Sequence, residues 1–165
     1  MAIREGRAED VRAISALIGD MERHELAQGV FGPMYLRLLE DPDHRFLVWT
    51  DGADDSDGTG AVLGVLHLRC EEQLHHVARV AEIMELAVAD GHRSAGIGRA
   101  LFDAACDAAR AAGCVQIEVA CNQLRHRAHR FYEARGMHNF HYKFSRSLVE
   151  GADADTAAAE NRLGR

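Results

Sequence analysis

The residues best suited to chemistry fall between Glu82 and Gly98. Two carboxylates, Glu82 and Glu85, stand in the apolar run Glu82-Ile83-Met84-Glu85-Leu86-Ala87-Val88. A turn of small residues follows, Arg93-Ser94-Ala95-Gly96-Ile97-Gly98, and then a helical pattern. A carboxylate on a strand can accept a proton from an ammonium group. The turn leads into a helix start, where backbone N–H groups without helical partners carry partial positive charge and suit a phosphate. Gly96 and Gly98 remove the Cβ atoms that would hold a diphosphate off the backbone, and Arg93 adds a fork that matches phosphate oxygens. A dinucleotide fingerprint, G-x-G-x-x-G, fails because its third glycine position holds Leu101, and no G-x-x-x-x-G-K-[ST] run is present. On these residues alone, a glycine-bearing connection with no chemical role stays open.

The elements that must position this stretch can be read from periodicity. A short strand is expected at Ala2 to Glu5. Asp10 then stands near the start of an amphipathic helix, with Val11, Ile14, Leu17, Ile18 and Met21 forming one buried stripe. A second helix is expected over Pro33 to Glu40, with Pro33 in its first turn. Phe46 to Trp49 reads as a strand, Asp51 to Gly60 as an exposed loop, and Ala61 to Cys70 as the return strand, interrupted at Gly64 by a bulge. After a looser segment containing His75-His76 comes the strand Ala81 to Ala89. A helix from Gly96 to Ala112 ends at Gly113. Cys114 to Ala120 reads as a strand, Leu124 to Arg135 as a helix closed by Gly136, and Phe140 to Phe144 as a last alternating strand. The order β-α-α-β-β-β-α-β-α-β predicts an α/β (α+β) fold with one mixed, twisted sheet of about six to seven strands and helices on both faces. We expect one domain over residues 1–147 and a tail, or weak terminal helix, over 148–165.

Composition narrows the function. The 165 residues carry a formal net charge of −7, which argues against a nucleic-acid surface. No apolar run approaches the roughly 20 residues needed to span a bilayer, and the opening Met1-Ala2-Ile3-Arg4-Glu5 lacks the apolar core of a signal peptide, so a cytoplasmic location is expected. Cys70, Cys106, Cys114 and Cys121 show no Cys-x-x-Cys pairing and read as reduced packing residues. No metal site is expected from the spacing of the ten histidines.

The motif Arg93-x-x-Gly96-x-Gly98 after such a strand resembles the acyl-CoA pyrophosphate motif of the GNAT acetyltransferase superfamily. Ser94 departs from the glycine many members carry there. Downstream, Asn122 followed by Ala128-His129-Arg130-Phe131-Tyr132-Glu133-Ala134-Arg135-Gly136-Met137 is similar to the second segment of the family, with Met137 in place of the usual aromatic. The resemblance implies a GNAT fold and acetyl-CoA as cosubstrate. It places the cofactor on Leu86, Ala87 and Val88 of the strand, on Arg93, Ser94, Ala95, Gly96, Ile97, Gly98 and Arg99 of the turn, and on Asn122 and Tyr132 downstream. Tyr132 matches the family's general acid, and Glu82, eleven residues before Arg93, matches the position of a base glutamate. Plain strand alternation would put Glu82 and Glu85 on opposite faces, so only one lines an acceptor cleft unless a bulge re-aims the strand. A backbone N–H near Val88 is a candidate oxyanion donor.

The resemblance further implies transfer of acetyl to the primary amine of a small molecule by direct attack in a ternary complex. The Arg125-His126-x-Ala128-His129 start of the second segment and His141-Tyr142-Lys143-Phe144 look like the aminoalkylphosphonate N-acetyltransferases. Arg69, Arg125 and Lys143 are candidate cations for an anionic substrate. An aminoglycoside or a protein or peptide amine is an alternative acceptor, and an acyl-CoA-binding regulatory module is an alternative of another class. A homodimer is expected by analogy.

Overall fold

The computed structural model describes residues 2–52 and 60–148, which form two compact units, divided after Val119. In the first unit, five strands make one sheet: β1 (Ala2–Glu5), β2 (His44–Thr50), β3 (Val62–Gln73), β4 (Ala78–Val88) and β5 (Gln116–Val119). Their spatial order equals their sequence order; β1 to β4 pair antiparallel, and β4 to β5 is parallel. Three α-helices complete the described part of this unit: α1 (Val11–Glu22), α2 (Gln28–Leu39) and α3 (Ile97–Ala111). The single parallel pair follows from α3, which carries the chain back across the sheet between β4 and β5, as a parallel pair requires.

The helices divide between the two sheet faces, as expected. Ile14 and Leu17 of α1 and Tyr35 of α2 pack with Phe46, Val48, Val65 and Ala87 on one face. On the other face Gly64 supplies the space for α3. A Cβ there would come within 2.9 Å of Ile97 and 3.0 Å of Leu101. The ladder between β2 and β3 slips beside this glycine, pairing Trp49 with Gly64 and Thr50 with Val62, so Leu63 is the extra residue of a bulge.

α1 is anchored at its start by Asp10, which accepts both Arg4 guanidinium nitrogens at 2.7 and 2.9 Å and the Arg7 backbone N–H at 2.7 Å. Its carboxylate therefore fastens β1 to the helix entrance as well as suiting the helix dipole. The second helix begins five residues earlier than the sequence suggests, at Gln28, and Pro33 lies inside it. A proline there lacks an N–H and its ring crowds the carbonyl four residues back, which belongs to Gly29. Tyr35, only 2% exposed, donates its hydroxyl to the Arg7 carbonyl at 2.8 Å and holds the helix down. The expected loop after β2 is closed by reciprocal contacts between Asp51 and Ala61; residues 53–59 lie outside the described ones.

The second unit holds α4 (His126–Glu133), shorter than the expected Leu124 to Arg135. The chain leaves it through Gly136 at φ +76, with the Met137 N–H bonded to the Tyr132 carbonyl. The expected strand Phe140 to Phe144 is not formed. Phe140, Tyr142 and Phe144 are 78%, 78% and 93% exposed, and no ladder includes them among the described residues. Alternation marks a segment able to pair, but a strand exists only where a neighbour accepts its hydrogen bonds. The described sheet accordingly has five strands rather than six or seven. The expected tail from Val149 onward lies outside the described residues.

Candidate active site

Central to the candidate site is an irregularity in β4. Across the ladder, His67 pairs with Glu85 but Leu68 pairs with Ile83, so Met84 is an extra residue on β4. Without it, Glu82 and Glu85 would point to opposite faces. With it, both face the side on which His67 and Arg69 project, two residues apart on the regular β3. Glu85 Oε2 lies 2.6 Å from His67 Nδ1, and Glu82 Oε2 accepts from the Arg69 guanidinium at 2.7 Å. The sheet therefore presents two carboxylates together, where alternation alone allowed one.

The partners of the two differ. Arg69 is shared between Glu82 and Glu71, the latter at 3.3 Å. Its charge is thus shared between two carboxylates. Glu85 meets an imidazole instead, and that imidazole continues to a second one: His67 Nε2 lies 2.7 Å from His44 Nδ1. His67 is 4% exposed and stacks on Phe46 at 4.1 Å between ring centroids. Burial, then the neighbouring His67, lowers the His44 pKa below the ordinary histidine value.

The same bulge marks where β4 loses its second neighbour. Pairing with β5 runs from Val80 to Ile83 and ends there. Among the described residues no ladder pairs Met84 to Val88 on the β5 side, which is where the Leu86, Ala87 and Val88 backbone groups are expected to receive an added strand-like ligand. Beyond Val88 the chain makes a 3-10 turn, Asp90 to His92, and enters α3 through two left-handed residues, Ser94 at φ +70 and Gly96 at φ +87. Residues 91–96 are exposed. A Cβ on Gly96 would meet nothing of the chain within 4 Å, so the conformation, and room for a ligand, favour glycine there. The first helical bond in this turn is from Ala100 N–H to the Gly96 carbonyl, leaving the N–H groups of Ile97, Gly98 and Arg99 without intrahelical partners. Such a cradle fits a pyrophosphate. Arg93, in the turn before it, has one nitrogen 2.6 Å from Asp90 and Nε 3.2 Å from the Val88 carbonyl; Arg99 lies 3.6 Å from Asp103.

Beside Asp90 opens a cleft of about 860 Å³, lined among others by Arg12, Ser15 and Gly19 of α1 and by Arg23 and Gln28. Its walls carry both signs of charge.

In the second unit, Asn122 works on its own backbone. Its Oδ1 accepts the Leu124 N–H at 2.9 Å and its carbonyl lies 2.9 Å from His129 Nε2, which ties the approach to α4 onto the helix. Tyr132 lies half-buried on that helix, edge-on to Phe131 at 5.2 Å. Burial, and then the thiol of Cys121, push its phenol up to about 12.

All four thiols are free. Burial pushes Cys70 up to about 11 and raises Cys106 and Cys121, which suits packing rather than nucleophilic roles. Among the described residues, no group of three or more His, Cys, Asp or Glu side chains is placed to hold a metal ion, and no helix is long and apolar enough to cross a membrane.

Sequence reading missed His44 and His67. The available signal was a histidine inside the apolar Val62–Cys70 run, but its link to a residue 23 positions earlier exists only through register.

Residues 12–137 match the Acetyltransferase (GNAT) family. An aminoalkylphosphonate N-acetyltransferase of Salmonella typhimurium is 31% identical over 146 residues, covering 88% of this chain and 90% of that protein. Among solved structures, a transcriptional regulator from Bacillus halodurans C-125 superposes with a TM-score of 0.77 at 21% identity, over 89% of this chain and 99% of that one. Glucosamine-6-phosphate N-acetyltransferase from Arabidopsis thaliana does so at 0.72 and 18% identity, over 90% and 98%.

Proposed function

Since the chain belongs to the GNAT acetyltransferase family, we propose that it transfers an acetyl group from acetyl-CoA to the primary amine of a small molecule, by direct attack within a ternary complex. The acceptor class we favour is an aminoalkylphosphonate, on the strength of the Salmonella relative. The observation that carries the reading is the Met84 bulge, which sets Glu82 and Glu85 on one face beside the Met84 to Val88 stretch of β4 and just ahead of the Gly96 cradle.

Acetyl-CoA supplies the acyl group already activated as a thioester. The N–H groups at the start of α3 and the Arg93 side chain hold its pyrophosphate, and the backbone of Leu86 to Val88 receives its amide arm. A backbone N–H near Val88 donates to the carbonyl oxygen as charge develops there.

The chain's main task is then protonation. An alkylamine of pKa near 10.4 is about 3.4 units from neutral at pH 7, a deficit of roughly 4–5 kcal/mol. Glu85 removes that proton: an N–H bond breaks, a carboxyl O–H bond forms, and the nitrogen lone pair becomes free. We assign this role to Glu85 because the partner of Glu82 is a guanidinium, whereas that of Glu85 is an imidazole that can adjust its own protons. Glu82 with Arg69 lines the face beside it. Tyr132 supplies a proton for the departing sulfur by its place in the family motif, and Asn122 fixes the segment that carries it.

The deciding assay follows thiol release from acetyl-CoA with 1-aminoethylphosphonate, an aminoglycoside and a lysine peptide side by side. Preference for the phosphonate is expected. Preference for the peptide overturns the small-molecule reading, and tight CoA binding without turnover above a Tyr132→Phe control supports a binding module instead.

A further inference from the structure

His44, His67 and Glu85 open or occupy three successive strands and meet in one line across the sheet. The contacts are 2.7 Å between His44 Nδ1 and His67 Nε2, and 2.6 Å between His67 Nδ1 and Glu85 Oε2. Both nitrogens of His67 are therefore committed. Its ring cannot turn away, since it is buried against Phe46, which is itself held edge-on by Tyr35 at 4.8 Å.

We propose that His44 and His67 are positioning residues for Glu85, with His44 locking His67 in the tautomer that donates to the carboxylate. Proton counting leads to this assignment. An ionised carboxylate only accepts, so His67 Nδ1 must carry the hydrogen of that contact. A neutral imidazole has one N–H, so His67 Nε2 then accepts, and the hydrogen of the second contact belongs to His44 Nδ1. Both rings are neutral in this arrangement, and Glu85 Oε2 is the oxygen engaged by His67.

The surroundings favour a neutral His44. His44 is depressed by burial and by His67. Asp41 and Asp43 before β2 oppose this, and Arg69 on β3 reinforces it. Asp43 is tied to Arg79, and Arg69 to Glu82 and Glu71. From α2, Tyr35 packs on Phe46 of this stack, and its hydroxyl is bound to the Arg7 carbonyl.

The proposal rests on Glu85 as the base, so its test needs a readout that does not depend on turnover. The full chain labelled with [15N]histidine reports by NMR which nitrogen of His67 carries hydrogen. At pH 7.5 we expect Nδ1 protonated and Nε2 bare. His44→Phe removes the donor and should mix or reverse the two, while His44→Asn offers an amide N–H in its place and should restore the first pattern. In parallel, the acid limb of kcat/KM should move up by about one pH unit in His44→Phe and return in His44→Asn. An Nε2–H tautomer in the unmodified protein overturns the proposal, as does a His44→Phe variant with unchanged tautomer and unchanged limb. If Glu85→Gln retains full activity, the base assignment fails, and the labelled ring still decides the lock.

Discussion

Glu82 and Glu85 face the same side of the sheet although three residues apart, because Met84 is bulged out of the ladder between them. Their carboxylates end on different partners, one a guanidinium and the other an imidazole. This difference separates them experimentally. Glu85→Gln should lower kcat/KM for an alkylamine by about 10²-fold or more, the usual worth of a positioned base. Glu82→Gln should act mainly on KM. Steady-state kinetics with one amine at pH 7.5 checks both, and equal losses in kcat would contradict the division.

Tyr132 lies on α4 with its phenol raised to about 12 by burial and Cys121. It therefore keeps its proton throughout the working pH range. Tyr132→Phe should reduce kcat by about 10²-fold with little change in the KM for acetyl-CoA. The kcat profile of the unmodified protein should show no descending limb from this group below about pH 10. A limb near pH 8 that vanishes in Tyr132→Phe would show instead that the phenol titrates there.

Gly96 enters α3 at φ +87 with open space about its missing Cβ. Alanine there costs about 1–2 kcal/mol of backbone strain, and its methyl stands where a pyrophosphate would approach. Gly96→Ala should thus raise the KM for acetyl-CoA several-fold and lower Tm by a few degrees. A fall in Tm with an unchanged KM would leave the turn a purely structural role.

Gly64 is demanding for a different reason. A Cβ would press on Ile97 and Leu101, within 3.0 Å of both. Gly64→Val should destabilise by about 3 kcal/mol or more through overpacking, measured by urea denaturation. Leu101→Ala in the same chain should recover part of that loss, since it vacates the contact.

The depressed pKa of His44 has a stability consequence. Between its folded value and the ordinary 6.5 of an unfolded histidine, the unfolded chain binds more protons, so stability falls as pH drops through that window and levels off below it. Tm measured from pH 7.5 to pH 5 should decline less in His44→Asn than in the unmodified protein. Identical slopes would show that the ring is not desolvated.

The sequence by itself determined the order of elements as far as α4, the helix-leading turn at Arg93 to Gly98 and the family motifs around Glu82 and Tyr132. Each is written in residues near one another along the chain: an apolar period, a glycine after a helix, a spacing of small residues before one. It could not decide which way Glu82 points relative to Glu85, since a bulge is a property of two strands and is visible only in their register. Nor could it find His44 and His67, whose partnership with Glu85 spans three strands joined by cross-strand pairing. The same reason explains the overreading at Phe140 to Phe144, where the alternation is present and no strand forms. Strand pattern is local, but pairing is a contract between distant segments, and the tertiary structure alone decides which segments meet.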